Sequence, residues 1–278
     1  MTLGRDKRFA PRSRILHGIG LFALPLPIIF LIILAATPLS GQATEPAAQG
    51  DGATLEKWIP RAVLEADFPV SAEEMLGHVH FLAHDRLRGR DAGSREEELA
   101  ATYIAAELRK LGLEPAGDDG GWEQAFGLIR VVRAEGGPRV EKLTSRNVLA
   151  WLPGSDESLA GEYIVFGAHF DHLGADGEGQ IYNGADDNAS GVAGMLAVAR
   201  ACARGAIRPR RSILFVAFGA EERGLGGSRH LVSHPPRPLE RLAAMINLDM
   251  IGRKSFLDRA PLRMAKAYVG IRPGPGVG

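Results

Sequence analysis

Cysteine is nearly absent from this chain: Cys202 is the only one. An internal disulfide is therefore excluded, even in an oxidising compartment. Cys202 sits in a small-residue helical stretch, which suits a buried packing role better than a catalytic thiol. Net charge is absent too, with Lys+Arg and Asp+Glu equal at 33 each. No basic stripe stands out, so nucleic acid is set aside as a partner. The stretch "GADGEGQIYNG" is glycine-rich, yet no G-x-G-x-x-G follows a strand, and a dinucleotide site is not expected. No G-x-S-x-G turn is present, which removes the serine-hydrolase arrangement built on one. No internal repeat is found.

The 278 residues are 45% hydrophobic, enough for one large core with an N-terminal appendage. The charge balance is uneven along the chain. Residues 1–14 hold Arg5, Lys7, Arg8, Arg12 and Arg14 against Asp6 alone, which leaves 28 basic and 32 acidic residues for the rest. Ile15 to Ala36 then carries no charged residue. A basic n-region (1–14) before an apolar run (15–36) reads as an export signal or an uncleaved membrane anchor. The run is long enough to span a bilayer, with Pro25 and Pro27 as tolerated kinks. Gly41-Gln42-Ala43 offers a small-x-small cleavage site. The positive-inside rule puts the remainder outside the cytoplasm, periplasmic or extracellular, with a membrane contact through this segment if it stays uncleaved. Residues 37–57 read as a linker, and residues 58–278 as the folded domain.

Two helices are predicted first, each opening with a capping box: Ser71 with Glu74, and Ser94 with Glu97. In the second, Ala100, Ile104, Leu108 and Leu111 share a face and Gly112 is the stop. Strands then alternate with helices: strands over 147–154, 162–169, 212–220 and 243–252, helices over about 188–204 and 226–233. Continuously apolar strands between helices predict an α/β sandwich, a sheet covered on both faces.

The polar residues fall at the strand ends. His169 and Asp171 follow one strand, Glu221 and Glu222 another, and Asp249 closes the last. In open α/β sheets the ligand site lies off those ends. A histidine with carboxylates from several loops is the donor set of a hydrolytic zinc site. The adjacent carboxylates of "YNGADDNASG" repel unless a cation sits between them, and Asp186 is the candidate to bridge two metal ions. Of the pair in "AEERG", one glutamate can bind metal while the other stays free as general base. His80 and His84 are spaced i, i+4, but Phe81 stands where H-E-x-x-H has its glutamate. They are read as packing or solvent-facing, and His230 and His234 as structural at a helix end.

"GAHFDHLG", "YNGADDNASGVA", "FGAEERGLGGS" and "INLDMIGR" come in the order and spacing of the co-catalytic di-zinc aminopeptidase family. That family includes bacterial leucyl-type aminopeptidases, glutamate carboxypeptidase and the inactive transferrin receptor. The resemblance runs from about His78 to Arg253. It implies a mixed β-sheet sandwiched between helices, the zinc-dependent exopeptidase fold, and two zinc ions. His169 and Asp249 would bind one zinc, with Asp171 orienting His169. Asp186 would bridge both ions through a cis peptide to Asp187, Glu222 would bind the second, and Glu221 would be the general base and acid. The implied reaction is attack of a metal-bridged water on the first peptide bond of a peptide or protein with a free amino end. In one respect the chain departs from the pattern. The family brings a final histidine to the second zinc, and no histidine follows His234 here. The resemblance thus implies an incomplete C-terminus, weak binding at the second position and low or no activity for this polypeptide. A carboxypeptidase or glutaminyl cyclase on the same scaffold, and a non-catalytic membrane-tethered binding domain, are the alternatives.

Overall fold

The computed structural model describes residues 70–134, 136–159, 161–253 and 266–271. The basic start, the apolar run, the linker and the chain end after Ile271 lie outside the described residues. Among the described residues no helix is long and apolar enough to cross a membrane.

Helix α1, Ala72–Leu82, opens where Ser71 Oγ accepts the Glu74 N–H at 3.4 Å. The stretch read from sequence as this helix, 71–87, continues to Leu87, and the helix stops five residues short of it. His84 Nδ1 accepts the Arg86 N–H at 3.1 Å and starts a separate tight turn, Asp85–Arg90. Arg88, Gly89 and Arg90 then adopt φ of 42°, 70° and 49°, which a right-handed helix cannot contain. Helix α2, Arg95–Lys110, follows the predicted boundaries and buries Ala100, Ala101, Ile104 and Leu108.

Glu97 makes half of the α2 capping box. Its N–H donates to Ser94 Oγ at 3.1 Å, but its carboxylate accepts from Gly93 N–H at 2.7 Å and from the Ser145 hydroxyl. Burial pushes this carboxyl up to about 7, against the pull of the Ser145 and Gly93 hydrogen bonds. Between about 4.5 and about 7 the folded chain keeps a proton that the unfolded chain has released, so stability falls as pH rises through that window. The loss is on the order of 3 kcal/mol at one pKa unit per 1.36 kcal/mol. Glu97→Gln removes this component. Urea unfolding between pH 4.5 and 7.5 is expected to show a shallower decline for the variant, and identical slopes would count against the assignment.

The sheet contains β1 (Glu114–Pro115), β2 (Glu123–Ala134), β3 (Gly137–Leu152), β4 (Tyr163–His169), β7 (Ser212–Phe218), β8 (Leu242–Asp249) and β9 (Lys266–Ile271). A two-residue pair, β5 (Gly174–Ala175) with β6 (Ile181–Tyr182), stands apart. The order is β1-β3-β7-β4-β8-β9, with β2 on β3. The middle strands β7, β4 and β8 are parallel, while β3 and β9 run antiparallel to their neighbours. The sheet is therefore mixed, as expected. Every residue of β4 and β7 is buried, because both faces are covered. Ile164, Phe166, Ile213 and Phe215 pack with Ile104 and Leu108 of α2 and with Val192 and Met195 of α3, Gly191–Ala203. Tyr163, Val165, Leu214 and Val216 pack on the other face with Leu231 of α4, Gly226–Ser233. Cys202 is buried, and burial pushes its thiol up to about 12, so it stays protonated and inert.

The strand predicted over 147–154 is the inner end of β3; β2 and the outer half of the β2–β3 hairpin are additions to the predicted elements. Its far half stands clear of the core, with Ile129 75%, Val131 63% and Val140 61% exposed.

The topology fixes the site. Because β4, β7 and β8 are parallel neighbours, His169, the turn after Phe218 and Asp249 all emerge at one end of the sheet.

Candidate metal centre

His169 ends β4 in a cage of carboxylates. Its Nε2 lies 3.1 Å from Asp187 Oδ1 and 3.8 Å from Asp249 Oδ1. Its Nδ1 lies 3.6 Å from Asp171 Oδ1. Burial alone would lower the imidazole pKa, but Asp171, Asp187 and Asp249 outweigh it and hold it up to about 12. The three carboxylates concentrate negative charge around the imidazole, where a cation is favoured.

Asp171 is completely buried and has a second task. Its Oδ1 accepts the Glu221 N–H at 2.9 Å and its Oδ2 the Glu222 N–H at 3.2 Å. One residue thus holds His169, whose Nδ1 lies 3.2 Å from the Asp171 backbone O with the carboxylate close behind, and clamps through its carboxylate the turn that carries both glutamates. Asn147 closes the base of that loop: its Oδ1 accepts from Gly219 N–H at 3.2 Å and its Nδ2 donates to Gly227 O at 2.9 Å.

Among the described residues two groups of three donors result: His169, Asp187 and Asp249, and His172, Asp187 and Glu222. Within each group the donor atoms lie within 4.8 Å of one another. Glu221 belongs to neither. Its carboxylate borders a cavity of about 270 Å³ with His169, Asp249, Phe218 and Met245. Burial pushes its pKa up; His169 opposes this, and Glu222, Asp171 and Asp249 add to it. The donor set, imidazole and carboxylate around a concentration of negative charge, fits a divalent metal such as zinc.

The expectation for Asp186 is corrected here. Asp187, not Asp186, belongs to both donor groups. Asp186 Oδ1 accepts the Gly252 N–H at 2.9 Å, and its Oδ2 pairs with Arg253 Nε at 2.9 Å. The cis peptide joins Asp187 to Asn188 rather than Asp186 to Asp187. The cause is the backbone of the turn Ala185–Ser190. Asp187 at φ −107°, ψ 93° is extended, so neighbouring side chains point to opposite sides. Buried Asn188 then ties the turn to β8, accepting from Gly191 N–H at 3.0 Å and donating to Leu248 O at 2.9 Å.

Residues 147–260 match the family model "Peptidase family M28". That stretch contains every donor above. A probable zinc metalloprotease of Pyrenophora teres f. teres is 40% identical over 114 residues, 40% of this chain and 23% of the relative. Aminopeptidase YwaD of Bacillus subtilis is 46% identical over 92 residues, 33% of this chain and 18% of the relative. These matches thus span a quarter or less of the curated relatives' own length. Among solved structures, an aminopeptidase from Aneurinibacillus sp. strain AM-1 superposes with a TM-score of 0.55 at 19% identity, covering 66% of this chain and 71% of that one. A zinc aminopeptidase from Bacillus subtilis gives 0.54 at 19%, covering 67% and 71%. The structural likeness establishes the fold as that of these enzymes.

Outside the M28 stretch, sequence reasoning assigned no role to Arg90, which is fully buried behind the site. Its Nε donates to Phe170 O at 2.7 Å, Nη1 to Asn183 O at 2.8 Å and to Leu82 O, and Nη2 to Gly184 O at 3.0 Å. Burial lowers its pKa to about 10, with Asp171 and Asp187 holding it up, so it stays charged at neutral pH. It pins the segments before Asp171 and before Asp186–Asp187 to each other. Arg90→Met takes the donor from the buried carbonyls of Leu82, Phe170 and Asn183, while Gly184 O keeps the Ala189 N–H, and is expected to cost about 3–5 kcal/mol. Arg90→Lys should recover little, because an ammonium cannot reproduce the planar fork. Urea midpoints check both, and a near-neutral Arg90→Met would refute the role.

His172 and Asp187 were also missed, although both stand inside quoted motifs. The histidines read as structural sit apart from both donor groups. His84 caps the Asp85–Arg90 turn, and His230 stacks on Phe126 at 5.0 Å and on His234 at 4.3 Å.

Proposed function

We propose that the chain is an exported zinc metallopeptidase, an aminopeptidase that releases residues from peptides with a free amino end. The observation that carries this reading is the convergence of two donor groups sharing Asp187, with Glu221 beside them and outside both. His169, Asp187 and Asp249 would hold one zinc, and Asp187 with Glu222 the second. Zinc supplies Lewis acidity there, making water acidic near neutral pH and polarising the scissile carbonyl. Asp171 keeps His169 turned toward the metal position and holds the Glu221 turn in place. Glu221 takes the proton from the attacking water and returns it to the leaving amine. The basic segment 1–14 and the apolar segment 15–36 support export, with residues 58–278 as the peptidase domain.

The test uses the full chain purified with zinc. Leucyl- and alanyl-anilides should be hydrolysed, against the low or no activity that the resemblance alone implies, and their N-acetylated forms should not. Chelation should abolish the activity and added zinc restore it. Cleavage insensitive to chelation, or equal cleavage of the blocked substrates, contradicts the reading.

A further inference from the structure

The second donor group contains an imidazole that neither the motif comparison nor the reading above uses. We propose that His172 is a direct ligand of the second metal ion, through Nδ1, completing the position formed by Asp187 and Glu222. The inference rests on the di-metal reading of the site and adds a residue to it.

His172 leaves β4 three residues after His169, and its Nδ1 lies 2.9 Å from Glu222 Oε1. The ring is held in place. Its backbone N–H donates to Arg90 O at 3.3 Å, and Asp91 pairs with it in an isolated parallel bridge. Gly184, at φ 62°, lies against the ring so closely that a Cβ there would stand 2.7 Å from both Cγ and Cδ2. A residue with a side chain at 184 would push the imidazole from its place.

Zinc binds nitrogen at about 2.0–2.1 Å and carboxylate oxygen at about 2.0–2.2 Å, so donors of a tetrahedral site stand about 3.4 Å apart. The donor atoms of this group, within 4.8 Å of one another and including the 2.9 Å pair, bracket that spacing. A metal ion here would become the shared partner of His172 Nδ1 and the Glu222 carboxylate, which now face each other at 2.9 Å, with the imidazole offering its Nδ1 lone pair. The competing role is a hydrogen bond that only orients Glu222.

Metal titration of the full chain separates the two. Cobalt(II) and zinc(II) should bind wild type at two equivalents. His172→Asn keeps a hydrogen-bond donor near the Nδ1 position but no imidazole. It should bind the first equivalent normally, which also shows that it folds, and the second at least about 100-fold more weakly, beyond what loss of an outer partner costs. His172→Cys loaded with cobalt should gain a thiolate-to-cobalt charge-transfer band that wild type lacks, a signature an orienting residue does not produce. Unchanged binding of both equivalents by His172→Asn, or no new band in His172→Cys, overturns the proposal and leaves the metallopeptidase reading intact. One equivalent in wild type overturns it as well. No metal in wild type sinks the proposal and the di-metal reading together.

Discussion

Glu221→Gln is expected to lower kcat for an aminoacyl-anilide by about 10²–10⁴-fold, the usual contribution of a positioned general base. The variant should keep its metal content, because Glu221 lies in neither donor group. It should keep its fold, because the contact that positions the turn is made by the Glu221 backbone: its N–H donates to Asp171 Oδ1 at 2.9 Å whatever the side chain. KM should change far less than kcat, since glutamine fills the same volume beside His169 and Asp249 in the cavity. Glu222→Gln is the contrasting substitution. Its carboxylate belongs to a donor group, so metal loss should accompany loss of activity there. Steady-state kinetics with elemental analysis of both variants decides the matter. Full activity in Glu221→Gln would remove the general base from the mechanism, and loss of metal from it would make Glu221 a ligand instead.

What the sequence made legible was whatever left a local pattern. The strands β4 and β7 are unbroken apolar runs because neither face meets water, and their polar ends mark where the sheet stops. Helix α2 shows its capping box, its buried face and its glycine stop. The hairpin β2–β3 is harder to see because its outer half is paired but not buried: Ile129 and Val131 sit in the run Leu128-Ile129-Arg130-Val131-Val132-Arg133, which has no strict alternation and marks no core face. Only the glycine pair Gly136-Gly137, at φ 95° and 120°, signals the turn. Arg90 is illegible for another reason. Its role is to join carbonyls about 80 and 94 residues away, and a lone arginine in a loop usually reads as solvated.

Exchanging the two adjacent aspartates for asparagine in turn should give opposite results. Asp187→Asn is expected to release both metal ions and abolish hydrolysis, because one carboxylate serves both donor groups. A neutral amide cannot balance two cations or supply two anionic oxygens, so affinity should fall by more than the roughly 10–100-fold of an outer partner. Asp186→Asn should leave metal content and kcat near wild type. Its amide oxygen still accepts the Gly252 N–H, and what is lost is the pair with Arg253, whose side chain is 76% exposed. An exposed pair is worth about 0–1 kcal/mol, so the stability cost should be small. Adjacency in "ADDN" cannot decide between the two residues, since either carboxylate satisfies the motif's chemistry. The decision is made by the extended backbone at Asp187, which sends one carboxylate to the metal position and its neighbour to the loop after β8. Metal analysis of the two variants reads this directly. If Asp186→Asn loses the ions and Asp187→Asn retains them, the bridging position belongs to Asp186 and the turn geometry has been misjudged.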